Sequence, residues 1–519
     1  MLERYQLFSP FSLFFLLAAG GAAVLMFALL TVPILIAGLV GGCVALCVAL
    51  ALFKHPMWSL FAFVLILPFH SLLMTILLAQ VGLPVEGVRA AAAWKEALLI
   101  VTVLILFLRI LARQRLSMLT LVDGIALLWL MQILFYFVIG SLIPTWQPSW
   151  EARLYGARDW LLYLLPYFIG RLIAVSDRTA QRILQAILLV GVVTSLYGIF
   201  EYLFLPIDFH VQLGVPRYFS EFLGLSYPDY MFGLPPNYWA EVAGQQLRRS
   251  VSTHLNGQGF AVPFLLIMPV ATVHYFYQPA RKNQFALIAC LIALLLTITR
   301  MTIIVCFIQG LVILFVLRRY KLLMGILLFG LLLFAVALIA SVTFRTYVAD
   351  TIFLRDTSAS ARPAQWVNGT QAILERPFGA GLGYAGQVGT RFGGSGEGQE
   401  AGYFKITGDL GIPGLLFFLA WFLGLLLYSL NLFRTTAGVW KMLALSTFVT
   451  AIGFMLNNIT APPDQSPFLI YVFPFLAGIT VHQYRLQRLA RFQSKCAIPG
   501  ASSLSEYSKD VNTLVPIRS

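Results

Sequence analysis

The chain has 519 residues, of which 60% are hydrophobic and only 11% are charged. Together with a mean hydropathy of +0.85, this composition excludes a soluble globular protein and predicts an all-α polytopic membrane protein. The formal net charge of +14 does not predict a nucleic-acid partner, because lysines and arginines of membrane proteins gather in cytoplasmic loops.

Apolar stretches close to the ~20 residues that a helix needs to cross a bilayer recur along the chain. They predict about fourteen spans. Counts of twelve or thirteen remain alternatives, because one pair of spans is separated only at Pro33 and another only at Arg300. The predicted spans are 11–30, 33–53, 57–79, 94–113, 119–142, 157–176, 183–205, 258–277, 284–299, 302–318, 322–344, 410–432, 439–457 and 467–484.

Basic clusters follow every second predicted span, so the positive-inside rule predicts that both termini are cytoplasmic. The predicted organisation is one transmembrane domain, residues 1–484, followed by a cytoplasmic tail, 485–519, that is partly disordered. Two long loops, about 206–257 and 345–409, then lie on the opposite side of the membrane. Because long loops in compact proteins are usually functional, we expect the active site there.

The positive-inside rule does not predict arginines on the side that carries the two long loops, so those found there require another explanation. Arg presents a planar fork of donors that suits phosphate and keeps its charge when partly desolvated. A single arginine there also fits a contact with lipid headgroups, but several together predict a site for a lipid-linked diphosphate. The candidates are Arg248, Arg249, Arg300, Arg362 and Arg391.

Two residues are candidate catalytic bases. Glu400 precedes the start of an apolar helix, where burial beside apolar surface raises the pKa of a carboxylate and suits it to base work. His254 is the alternative, although a lone histidine near a span end more often serves as a hydrogen-bonding residue. Trp366 and Tyr403 are candidate sugar contacts, and neither cysteine, histidine nor aspartate spacing predicts a metal site or a cofactor.

Five motifs occur in a fixed order between the spans. Together they resemble the O-antigen ligase and polymerase superfamily over about residues 90–480. The motifs are Arg249-x4-His254-x-Asn256-x2-Gly259, Thr299-Arg300, Ser360-Ala361-Arg362-x3-Trp366, Pro377-Phe378-Gly379-x-Gly381-x-Gly383 and Gly411-Ile412-Pro413-Gly414.

The resemblance implies a C-type glycosyltransferase of the bacterial inner membrane. Such enzymes use an undecaprenyl-diphosphate-linked glycan donor and a glycan acceptor at the periplasmic face, without metal. Ligases of the family carry a His followed by Asn, Ser or Gln at the position of Glu400 and Ala401, and they share the spacing to Gly411 and Gly414.

The change to Glu400 and Ala401 favours an inverting polymerase that joins lipid-linked repeat units into O-antigen, capsule or exopolysaccharide. A chain-length regulator is a further candidate partner. Two alternatives remain: a ligase that transfers the glycan to lipid A core or protein, and a small-anion or bicarbonate transporter. A transporter is expected to place ionisable residues and broken helices in mid-membrane.

Overall fold

The computed structural model describes residues 47–113, 119–140, 148–242, 245–353, 357–394, 401–460, 462 and 466–496. These residues form helices and one small β-hairpin. The helices are α1 (Trp58–Gln80), α2 (Val85–Ala92), α3 (Trp94–Arg113), α4 (Leu121–Ile139), α5 (Trp150–Leu172), α6 (Asp177–Phe204), α7 (Ile207–Leu213), α8 (Gly257–Tyr277), α9 (Arg281–Leu296), α10 (Arg300–Val316), α11 (Tyr320–Ala340), α12 (Val342–Ile352), α13 (Thr357–Glu375), α14 (Gly386–Arg391), α15 (Gly402–Thr435), α16 (Gly438–Asn457) and α17 (Pro467–Cys496).

Each span predicted from residue 57 onward coincides with one of these helices. Eight helices in the described part of the chain are long and apolar enough to cross a membrane, and α10 is a shorter apolar helix. The prediction of an all-α polytopic membrane protein is therefore confirmed. The predicted span 11–30 lies outside the described residues, and of 33–53 only residues 47–53 are described, as helix.

The main core forms where α4, α5, α15 and α17 pack together. Aromatic rings fill its centre: Trp129 is fully buried, and the rings of Trp160, Tyr163, Phe418 and Trp421 surround it with centroids about 6 Å away. Such offset and edge-to-face contacts add to the apolar area that the rings bury. The core thus holds α5 against α15, the two helices that carry the loop-face charges described below.

The two long segments differ from the predicted loops, because both contain short helices that pack on the bundle, and the first also contains a β-hairpin. Residues 206–257 contain α7 and a hairpin of β1 (Trp239–Val242) and β2 (Gln245–Arg248), in which Trp239 pairs with Arg248. Residues 345–409 contain most of α12, all of α13 and α14, and the first part of α15. Their polar composition predicted loops, but tertiary packing makes them helical. Likewise, α17 continues to Cys496, into the predicted tail.

The end of the bundle that carries both segments is called the loop face here. A small second core lies there, between the end of α1, α2 and the first segment. Its buried members include several aromatic residues of a loop that composition alone predicts to be open. They are Met74, Leu78, Leu83, Val88, Ala92, Val215, Tyr218, Phe219, Leu234, Tyr238, Val251 and Leu255.

Helix α15 is broken at Gly411, nine residues after it begins. Gly411 has φ 69° and ψ −170°, a conformation that is essentially restricted to glycine. The chain of Pro377–Gly383 fits into this break, since Ile412 N–H donates to Pro377 O at 2.8 Å. The break separates a short first part of α15, which lies on the loop face, from the span that follows.

We predict that Gly411→Ala destabilises the protein. The backbone conformation alone costs about 1–3 kcal/mol for a residue with a side chain, and the new Cβ would lie 2.4 Å from the carbonyl carbon of Phe378. Gly310→Ala is the matched control, because a Cβ at Gly310 meets nothing within 4 Å. Thermal unfolding in detergent should show a lower Tm for Gly411→Ala alone, and equal Tm values would contradict the assigned conformation.

Candidate functional site

Two of the predicted arginines, Arg249 and Arg300, meet the same small part of the loop face. The backbone N–H of Arg249 donates to Tyr238 O at 2.8 Å, and its side chain packs against Gly257, where a Cβ would lie 2.8 Å from Arg249 Cδ. Arg300 begins α10 and donates from Nη2 to Glu241 O at 2.8 Å. Both half-buried guanidinium groups therefore lie beside the hairpin and the start of α8.

The start of α8 links these two arginines further. Thr299, the residue before Arg300, has its Oγ1 3.5 Å from Gly257 O, the same residue against which Arg249 packs. Ser250 N–H donates to Leu296 O at 2.9 Å, which ties the chain after Arg249 to the end of α9. Two positive charges from distant parts of the sequence are thus held in one region, as an anion site requires.

Arg248, the neighbouring arginine, has a different position. Its guanidinium pairs with the carboxylate of Glu201, which is fully buried, and donates from Nη1 to Leu205 O at 2.6 Å. The other oxygen of Glu201 accepts the backbone N–H groups of Val251 and Ser252. This geometry gives Arg248 a structural role, fixing the end of the hairpin to α6, and we leave it out of the proposed anion site.

His254 lies in a helical turn, Ser252–His254, directly before α8. Its Nδ1 is 3.5 Å from Thr253 Oγ1, and its ring lies 5.6 Å from the ring of Phe260. Burial disfavours the charged imidazolium and lowers the pKa of His254 to about 3. An imidazole with so low a pKa is a weak base, because general bases work best with a pKa near the operating pH.

The first turn of α15 lies beside the start of α10 and the C-terminal end of α16. Gly402 N–H donates to Asn458 O at 2.9 Å, and Thr302, in the first turn of α10, donates to Asn457 Oδ1 at 3.2 Å. The hydroxyl of Tyr403 donates to Met455 O at 2.8 Å, so it is directed into the helix packing. Arg300 and the chain that enters α15 therefore approach the same helix end.

The remaining predicted site residues lie elsewhere on the loop face or outside the description. Glu400 and the side chain of Arg362 are outside the described part of the chain, although α13 includes the backbone of Arg362. Trp366, in the same helix, is 44% exposed. Arg391 ends α14 and lies over the ring of Tyr155 at 5.7 Å, beside the first half of α5.

The structure also shows buried charges that the sequence analysis did not select. Lys405 is 5% exposed and Asp409 is fully buried, both in the first part of α15. Lys405 Nζ lies 3.1 Å from Asp159 Oδ2, and Asp409 Oδ2 accepts Trp160 Nε1–H at 2.9 Å. The signal for them was available, because ionisable residues within apolar helices usually have a function or a partner.

No group of three or more His, Cys, Asp or Glu side chains suited to a metal ion occurs among the described residues. The chemistry that the described side chains offer is instead cationic and donor-rich, with Arg249 and Arg300 beside the hairpin. Such groups bind oxyanions.

We predict that Arg248→Met destabilises the protein by about 3–5 kcal/mol, because the buried carboxylate of Glu201 then loses its cation. Arg217→Met is the control: Arg217 pairs with Glu221 at 2.7 Å, but both side chains are more than 40% exposed, so the loss is expected within about 1 kcal/mol. Thermal unfolding in detergent measures both. An Arg248→Met protein as stable as Arg217→Met would contradict the structural role.

Comparison with known proteins agrees with the motif order. Residues 285–419 match the protein family described as O-Antigen ligase, a stretch that contains Arg300, Glu400, Lys405 and Asp409. A comparison with curated proteins gave no match. Residues 285–419 are thus similar to the O-antigen ligase family, and the long apolar helices are those of a multi-pass membrane protein.

Proposed function

We propose that the protein is an inverting glycosyltransferase that polymerises undecaprenyl-diphosphate-linked repeat units into a surface polysaccharide. The observation that carries this proposal is the meeting of Arg249 and Arg300 beside the chain entering α15. A lipid diphosphate is the anionic part of such a donor, and its negative charge grows as the glycosidic bond to it breaks. Arginines placed there stabilise that transition state.

The donor diphosphate binds Arg249 and Arg300 in this scheme. Guanidinium groups pair with two phosphate oxygens at once and stay charged when partly buried, so they can take the role that a divalent cation has in many glycosyltransferases. Arg362 and Arg391 are proposed as further contacts from the same face, on the sequence argument. The exposed ring of Trp366 remains a candidate for stacking on a sugar, whereas the hydroxyl of Tyr403 is already bonded to Met455.

Glu400 is the proposed base. It precedes Gly402, in the first turn of α15, by two residues in the sequence. Glu400 takes the proton of the acceptor hydroxyl, that oxygen attacks the anomeric carbon, and the lipid diphosphate leaves from the opposite side. The new glycosidic bond therefore has inverted configuration, and the released lipid carries both phosphates.

The loop face is the periplasmic side in this proposal, and both termini are cytoplasmic in a bacterial inner membrane. The supporting argument is the asymmetry of positive charge. Basic residues lie in or beside the short connections at the opposite end of the bundle. An example is Arg318, Arg319 and Lys321, at the connection between α10 and α11. Such clusters mark cytoplasmic loops, and the lipid-linked donor is then used on the far side.

A transporter is the less supported alternative, although α15 is broken and charges are buried. The break lies beside Phe378, whose carbonyl accepts the hydroxyl of Tyr136 near the loop-face end of α4. Gln132, near the middle of α4, also donates to Leu410 O beside the break, so the position of the break fits a transporter as well, and the family match is what favours an enzyme. A ligase has direct support from the matched family description. Glu400 and Ala401, in the place of the family ligases' His and Asn, favour the polymerase.

We predict that deleting the gene leaves a single repeat unit on the lipid carrier or on the lipid A core. Gel electrophoresis of surface polysaccharide, with mass analysis of extracted lipid-linked glycan, measures this. A full-length ladder retained on the carrier identifies a ligase instead. An unchanged polysaccharide profile would contradict both enzymes and favour transport, and complementation with the wild-type gene controls for effects on neighbouring genes.

We predict that Glu400→Gln lowers the turnover rate by about 10²–10⁴-fold, because the amide cannot accept the acceptor proton. His254→Gln is the matched comparison and should keep the wild-type pH–rate profile between about pH 5 and 8. With a pKa of about 3, His254 is neutral across that range, so its titration changes no rate there. Full activity of Glu400→Gln would contradict its role as the base. A His254→Gln enzyme whose rate no longer falls at low pH, as the wild-type rate does, would make His254 the base instead.

A further inference from the structure

Five charged side chains of alternating sign form a chain of ion pairs on the loop face, near the start of α15. Lys405 Nζ lies 3.1 Å from one oxygen of Asp159, and the other oxygen accepts Arg158 Nη2 at 3.0 Å. Arg158 lies 3.9 Å from Glu96, which pairs with Lys95 at 3.4 Å. These five residues join α3, α5 and α15, and none of them belongs to the proposed diphosphate site or serves as the proposed base.

Lys405 and Asp159 form the least exposed ion pair of this chain. The side chain of Lys405 is 7% exposed and that of Asp159 is 14% exposed, and the ammonium also lies 5.4 Å from the centre of the Trp160 ring. Removing two charges from water is costly, and apolar side chains in their place are often as stable or more so. Stability alone is therefore a poor explanation for this pair, whereas a fixed register between two helices accounts for it.

The first turn of α15 has three anchors. Gly402 N–H bonds to Asn458 O, Tyr403 OH bonds to Met455 O, and Lys405 bonds to Asp159. The first two hold the turn to α16, and the third holds it to α5. Position 402 has no room for a side chain, since a Cβ there would clash with Asn458 Oδ1. Contacts in two directions fix both the rotation and the height of this helix start.

We propose that Lys405 and Asp159 are positioning residues for glycosyl transfer. This inference rests on the proposed function, because the pair acts through Glu400 and touches no substrate. It holds the start of α15 to α5, and Glu400, the base of the proposed function, precedes that start by two residues in the sequence. A displacement of about 1 Å in such a group costs on the order of a hundredfold in rate.

The test uses the full-length enzyme and the lipid-linked glycan extracted from the deletion strain. For Lys405→Met we expect kcat to fall on the order of ten- to a hundredfold, while KM for the glycan stays within about twofold. Inhibition by farnesyl diphosphate, a short analogue of the lipid carrier, should be unchanged. Lys441→Met is the matched control: Lys441 also lies over an aromatic ring, Phe433, at 4.9 Å, but at the other end of α16. It should keep wild-type rates.

The double variant Lys405→Met with Asp159→Asn separates positioning from the cost of an unpaired Asp159 carboxylate, while the buried carboxylate of Asp409 keeps its hydrogen bonds from Trp160 and Ala385. We expect a Tm close to wild type with kcat still reduced, and Lys405→Arg, which keeps the ion pair, should recover most of the rate. A double variant with wild-type kcat overturns the proposal. So does a KM raised more than tenfold at unchanged kcat, which would mean direct contact between Lys405 and the substrate.

These outcomes are distinct from failure of the proposed function. A wild-type enzyme that does not lengthen the extracted glycan contradicts the polymerase itself, whatever the variants do. Wild-type turnover with equal kcat in Lys405→Met and Lys441→Met contradicts only the positioning role. Arg300→Met provides the opposite pattern as a reference, because loss of a diphosphate contact should weaken inhibition by farnesyl diphosphate.

Discussion

The carboxylate of Asp409 joins the three parts of the chain that make up one side of the loop face. One oxygen accepts Trp160 Nε1–H from α5, and the other accepts the backbone N–H of Ala385, just after the glycine-rich turn, each at 2.9 Å. A fully buried carboxylate needs such donors, because leaving it unpaired is strongly unfavourable. The turn, α5 and the first part of α15 consequently take fixed positions relative to one another, and the break at Gly411 follows two residues later.

A broken helix in a membrane protein requires partners for the backbone groups that the break releases. The structure supplies them from α4 and from the turn itself. Gln132 donates to Leu410 O at 2.9 Å, and Tyr136 donates to Phe378 O at 2.7 Å. Ile412 N–H is accepted by Pro377 O. The first part of α15, in which no residue is exposed, is therefore held in place by the surrounding helices, while the second part continues as an ordinary span.

The sequence was informative where its signal is local. Runs of apolar residues determine membrane helices directly, so each span predicted from residue 57 onward has its helix. The short helices of residues 345–409 were missed because their composition is polar and their helical state depends on packing, as where Gly369 of α13 adjoins the ring of Phe404.

The candidate site illustrates the same limit. Arg248, Arg249 and Arg300 are all predicted on the side of the membrane where the positive-inside rule expects few basic residues. The sequence therefore predicts the same role for all three. Only the fold shows that Glu201, far earlier in the chain, takes Arg248 as its partner. Lys405 and Asp159 are separated by more than two hundred residues, so their pairing cannot be derived from spacing. The sequence could show that a charge inside an apolar helix needs a partner, but not which one.

Arg248 and Arg249 contact different parts of the protein for a simple geometric reason. Successive side chains of an extended chain point to opposite sides, and the hairpin pairs Arg248 with Trp239 while Arg249 N–H continues to Tyr238 O. Arg248 therefore faces α6 and Glu201, and Arg249 faces Gly257 and the start of α10. A slip of one residue would exchange the two sides, turning Arg248 away from α6 and Arg249 toward it. The pairing of one short hairpin thus decides which of two identical side chains pairs with Glu201 and which packs against Gly257.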